Sequence, residues 1–155
     1  MDVTLYEVLK FGHFTFAAVW IGVDATIQAF ALRAFAAGPQ RTADLMGDVE
    51  WIGTRLLVPS SLLVVVFGVW MVLDSPIWEF SQFWVSAGLA VFAASFLAGA
   101  GFLGPESGRL AKLTSERSAD DPEVKRRIRR LLLVSRIELV LLIAIVYVMV
   151  TKPGL

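Results

Sequence analysis

The residues best equipped for chemistry in this chain lie on its first long apolar stretch. His13, Ala17, Trp20, Asp24 and Gln28 recur at intervals of four, three, four and four, which places them on one face of an α-helix. Polar and ionisable side chains are costly in lipid, so in so apolar a stretch this face must turn inward, and its polar members are candidate functional groups. At the rise of an α-helix, His13 and Asp24 stand roughly 16 Å apart along the axis, so the face has two tiers.

The outer tier centres on His13. Its depth from the basic boundary at Arg33 is about 30 Å, against about 24 Å for Met71 from Arg55 and about 27 Å for Met149 from Arg130. An imidazole and two thioethers at one level, with Phe14, Phe16, Trp20 and Tyr147 nearby, have the chemistry to ligate and wall a haem. The plain alternative is a hydrogen-bonded structural histidine. The inner tier contains Asp24 and Gln28 on the first stretch and Arg136 and Glu138 on the last, bordered by Arg55. Asp24 and Glu138 lie roughly 10–14 Å inside their basic boundaries. Two carboxylates and two guanidiniums at such depth are expected to pair, because an unpaired ion in lipid is expensive. The cluster reads as a clamp between helices, or as a proton relay or substrate anchor.

What positions these residues is a set of membrane spans. Of 155 residues, 57% are apolar and 18% charged, well away from the near-half and quarter of a soluble domain. Four long stretches are nearly free of charge: about 5–34, 56–73, 83–103 and 131–150, each long enough to cross a bilayer. The third is expected to close at Gly104-Pro105, where proline cannot continue a helix. The 105–130 connection is then the sizeable soluble segment. Within it Asp121, Pro122 and Glu123 read as the start of the fourth helix. The fold expected for 1–155 is a single all-α domain, an integral membrane four-helix bundle. The third span carries Gly88, Ala90, Ala94, Ser95, Ala98, Gly99 and Gly101, a face suited to close helix packing, to a prosthetic group or to a second subunit.

Except for Lys10 and Lys152, every lysine and arginine lies between Arg33 and Arg55 or between Arg109 and Arg136. The positive-inside bias puts both of those connections in the cytoplasm and both termini outside, in a bacterial-type inner membrane. Trp51 marks the inner boundary, and Trp70, Trp78 and Trp84 the outer one. The acidic leader, with Asp2 and Glu7, reads as part of a retained span rather than as a cleaved signal. The run from Lys125 to Arg130 serves as a topology anchor or meets anionic lipid.

Other classes fall away on composition. The chain has no cysteine, which excludes disulfides, iron–sulfur clusters and thiolate chemistry. One histidine excludes any site that draws several imidazoles from one subunit. Lys plus Arg equals Asp plus Glu at 14 each, so net charge points to no nucleic-acid partner. The partner is the bilayer, with a homodimer or a larger membrane complex left open.

The segment KFGHFTFAAVWIG, from Lys10 to Gly22, resembles the first helix of the CopD-like and HemJ-like group of four-to-five-helix membrane proteins. LGPESGRL at 103–110 and SRIELVLLIAIVYVMVTKP at 135–153 resemble the integral-membrane family called domain of unknown function 2269. The HemJ-like resemblance, which runs through Trp20, implies haem b at His13, with Lys10 in the place of those proteins' lysine, and electron transfer or oxidase chemistry. If the chain is an enzyme, it is then a membrane oxidoreductase, with Met71 or Met149 available to the iron. The CopD-like resemblance implies copper handling, against which stands a ligand supply of four methionines and no cysteine. The alternative from another class is a cofactor-free accessory or scaffold subunit.

The absence of native cysteine makes the topology directly measurable. Thr4→Cys and Gly154→Cys are expected to react with a membrane-impermeant maleimide in intact cells, and Ser118→Cys only after permeabilisation. The reverse pattern would overturn the charge argument.

Overall fold

The computed structural model describes residues 4–154 and is helical throughout its long elements. Thr4 opens the first of them. Its hydroxyl accepts from the Glu7 amide, while the Glu7 carboxylate accepts from the Thr4 amide, so two otherwise orphaned donors are satisfied reciprocally. α1 then runs unbroken over Leu5–Ala37. Gly38 ends it at φ 112°, a conformation that side chains resist, and Pro39 starts α2 (Pro39–Ile52) immediately.

α2 does not stop before the second span. A π-helical turn, Gly53–Leu57, carries it into α3 (Val58–Asp74), and the two form one helix from Pro39 to Asp74. The third span does the same in the opposite direction. α4 (Phe83–Ala98) passes through a second π turn, Gly99–Leu103, into α5 (Gly104–Glu116). Gly104-Pro105 is therefore not the end of a helix, which corrects the sequence expectation. In both places the π turn begins at a glycine, and a proline, Pro59 or Pro105, is the second residue after it. Proline lacks the amide hydrogen and crowds the carbonyl one turn back, and a widened turn accommodates both defects without breaking the helix.

α6 (Pro122–Thr151) starts as expected: the Asp121 side chain accepts from the amides of Glu123 and Val124. Four helices, Leu5–Ala37, Pro39–Asp74, Phe83–Glu116 and Pro122–Thr151, are thus long and apolar enough to cross a membrane. With four crossings, the start of α1, the end of α6 and the 75–82 link share one pole. The opposite pole is a helical head built from α2, α5 and the adjoining ends of α1 and α6.

The larger buried cluster lies toward the head, and a smaller one, Val72, Trp84 and Val85, lies at the other pole. Met46, Leu110 and Ile128 are sealed completely, and with Val124, Leu131 and Ile27 they form a core in and just below the head. There both carboxylate oxygens of Glu106 of α5, itself buried, accept from Arg127 Nη1 at 3.0 and 3.3 Å and tie α5 to α6. The spans by contrast leave Val66, Leu73, Leu97, Val140 and Val150 outward. Water drives apolar residues together in the head, whereas lipid is as apolar as the side chains it surrounds.

Between the spans, contact is uneven. α1 packs closely on α3, where Gly12 lets the Phe67 ring approach to 2.9 Å of where a β-carbon would stand. Phe16 stacks on the same ring at 5.9 Å. α4 packs on α6, and α3 meets α4 more sparingly, through Val72 against Trp84 and Val85. The bundle is two helix pairs joined firmly at the head.

Ile128→Ala should therefore lower the unfolding free energy in detergent or lipid by about 2–5 kcal/mol. Ile137→Ala, one face away and 54% exposed to the lipid region, should change it by no more than about 0.5 kcal/mol. Equal effects at the two positions would show that the head does not hold the fold.

Candidate functional site

Near the terminal pole Val72 of α3 packs with Trp84 and Val85 of α4, and beside this small core a cavity of about 190 Å³ is lined by α1, α3, α4 and α6. Lys10, His13, Trp20, Met71 and Met149, the residues named from sequence for the outer tier, all line it. They come from three helices, α1, α3 and α6, and α4 adds Trp84, Val85 and Gly88 to the lining.

His13 is held by α3. Its Nδ1 lies 2.8 Å from the carbonyl oxygen of Val64, a partner that can only accept, so Nδ1 carries the proton and donates it. The imidazole lies against Gly68, where an added β-carbon would sit 3.0 Å from its Cε1 and Nδ1 atoms. Neutral His13 then has its lone pair on Nε2, for which the described residues supply no hydrogen-bond partner. On the opposite wall the Met149 methyl fills the space that a side chain at Gly88 would need. Gly68 and Gly88 thus let one functional side chain on each side lie close against the neighbouring backbone.

The mouth of the cavity holds groups the sequence reading had used only as topology markers. Lys152, in the left-handed conformation at φ 42°, caps α6 through its amide to the Val148 carbonyl. Its Nζ stands 3.9 Å from the centre of the Trp78 ring and 5.1 Å from that of Trp84, two indoles in edge-to-face contact. Trp78 Nε1 donates to Tyr6 Oη at 3.0 Å, which joins the link to α1. Lys10 reaches the same cavity from α1, so among the described residues two ammonium groups and no carboxylate face it. A basic residue after the last span was the available signal for Lys152; nothing in the spacing indicated the aromatic cage around it.

Two aromatics expected at this level lie elsewhere. Phe16 is engaged with Phe67 on the α1–α3 seam, and Tyr147 is 69% exposed on the lipid side of α6. On α4, Gly88 serves the close approach, whereas Ala90 and Ala94, and Gly101 in the π turn, face outward.

The inner tier is assembled as a cluster but not as ion pairs. Asp24, buried to 4% exposure, accepts at Oδ1 from Ser135 Oγ at 2.6 Å. Gln28 Nε2 donates to Ser135 Oγ at 2.9 Å and to the Leu132 carbonyl at 3.2 Å. Arg136 is exposed and reaches Gln28 Oε1 at a long 3.5 Å. Arg55 is exposed as well, with its guanidinium 5.2 Å over the Trp51 ring near the head. Glu138 is half-buried, near Asp24 and facing Ser95. Among the described residues no ion pair joins either carboxylate to an arginine, which corrects the expected pairing. Arginine has a long stem and finds a wetter position for its charge than the bundle interior offers.

No curated protein and no solved structure matches the chain. A family model does, over residues 7–153, which takes in every span, the head and both tiers. By that match the chain belongs to the family described as predicted integral membrane protein (DUF2269).

Proposed function

We propose that this membrane protein binds haem b in the outer cavity, where His13 Nε2 would hold the iron, and serves electron transfer or oxidase-type chemistry. The observation that carries the reading is the second bond of the imidazole. Histidines that ligate metals usually fix their other ring nitrogen on a backbone carbonyl or carboxylate, which sets the tautomer and orientation. The Nδ1 bond of His13 to Val64 does this and leaves Nε2 for a ligand.

The rest of the donor set suits the same group. The walls are almost wholly apolar, and Lys10 and Lys152 at the mouth can offset propionate charge. Met149 and Met71 lie on other walls as thioether groups of the kind that complete haem coordination. The iron would supply one-electron chemistry when the group is bound. The chain's own part is to orient the imidazole, exclude water and neutralise the carboxylates. At about 190 Å³ the cavity is smaller than the roughly 300–1,000 Å³ of common small-molecule sites. Loading a macrocycle would therefore require the helices around the cavity to part.

Pyridine haemochrome analysis of protein expressed with ample haem is expected to give up to one haem b per chain. His13→Ala should abolish the Soret band while the protein remains monodisperse. Gly68→Val, which displaces the ring without removing the ligand, should reduce loading at least several-fold. Negligible haem in the wild-type protein would leave His13 as a structural residue and favour the cofactor-free accessory bundle.

A further inference from the structure

Directly beneath the outer cavity the structure leaves polar atoms that its own residues do not satisfy. Trp20, Phe92 and Leu142 line the inner part of the cavity on α1, α4 and α6. One helical turn further toward the head on the same three helices lie Asp24, Ser95 and Glu138, about 5–6 Å below. Asp24 Oδ2 is sealed from solvent and has no partner. Ser95, at 4% exposure, has an equally orphaned Oγ, which faces the Glu138 carboxyl without completing a hydrogen bond to it. Glu138 lies close enough to Asp24 for the two charges to act on one another.

Among the described residues no cation pairs with either carboxyl. α3 between residues 58 and 73 and α4 with its π turn between 83 and 103 contain no titratable side chain. On α1, the next ionisable group outward is His13, beyond Trp20. On α6, Arg136 is exposed and is separated from Asp24 by Gln28 and Ser135. Arg55 sits on Trp51. Two adjacent carboxylates in a dry site repel each other and each bears a desolvation cost, so both cannot be ionised together cheaply. A single proton removes one charge, and the resulting O–H supplies the donor that Asp24 Oδ2 or the facing Glu138 oxygen lacks. A structural clamp would instead need the arginine contacts that are missing.

We infer that Asp24 and Glu138 form an intramembrane proton-binding site, holding one exchangeable proton between them under the floor of the outer cavity, with Ser95 and Ser135 as hydroxyl partners. The site stands on the inner cluster and does not depend on what fills the cavity. Its position gives any reaction or ligand exchange in the cavity a proton store within one helical turn.

The test is infrared spectroscopy on the full chain in lipid nanodiscs, titrated across pH in sodium-free buffer. At neutral pH the wild type should show a protonated-carboxyl absorption of about one group per chain, shifted by deuterium exchange. That absorption should be lost in Asp24→Asn/Glu138→Gln and altered in each single variant. Because both amides are neutral and near-isosteric, the double variant should melt no lower than the wild type, which guards against mistaking unfolding for loss of the site. Full ionisation of both groups at neutral pH would overturn the inference, as would an absorption that survives the double substitution. A band that disappears on adding sodium chloride at constant pH, but not choline chloride, would replace the proton with a metal cation. A large fall in melting temperature for the double variant would restore the clamp.

Discussion

In lipid an apolar side chain gains nothing by turning inward, and the architecture of this protein follows from where that constraint is lifted. Its spans carry long runs of valine, leucine and phenylalanine that face outward, and their mutual contact depends on local shape: Gly12 under Phe67, Gly68 under His13, Gly88 under Met149. The head lies beyond the longest apolar runs and packs like a soluble core, with Met46, Leu110 and Ile128 fully enclosed. Two π turns make this division workable. They let the second and third spans continue past a proline into the head, so the core there grips the same helices that shape the membrane half.

A bundle fastened firmly at one end can keep a cavity at the other. The α1–α3 and α4–α6 pairs converge at the head and leave the cavity near the termini, where the Trp78–Trp84–Lys152 contacts and the Tyr6 bond close the rim. The cavity combines an imidazole with a fixed tautomer, apolar walls and two ammonium groups. That set suits an apolar body with an anionic end and one atom able to accept a lone pair.

The inner cluster obeys the same economy of charge differently. Its carboxyl groups belong to the interior, while the arginines on neighbouring turns extend away from it. Serine and glutamine, which carry no charge to desolvate, take the places nearest Asp24. Such a site is polarised without being neutralised by side chains, and a proton is the smallest particle that completes it.

The amino-acid pattern alone determined the number of spans, the inward face of the first helix and the common level of His13, Met71 and Met149. Each follows from periodicity and rise, which are properties of a single helix. It also located the start of α6, because a cap and an N-terminal proline act within one turn. Three features needed the tertiary structure. Gly104-Pro105 looks like a stop until a wider turn accommodates the proline, and the head packing that keeps the helix going is not local. The bond from His13 to Val64 and the approach of Lys152 to Trp78 and Trp84 join residues from different helices. The pairing of arginines with Asp24 and Glu138 seemed required by charge and depth, yet side-chain length and direction sent the guanidiniums elsewhere. Depth along a helix can be counted from a sequence, but which neighbour fills the space across it depends on how the helices turn toward one another.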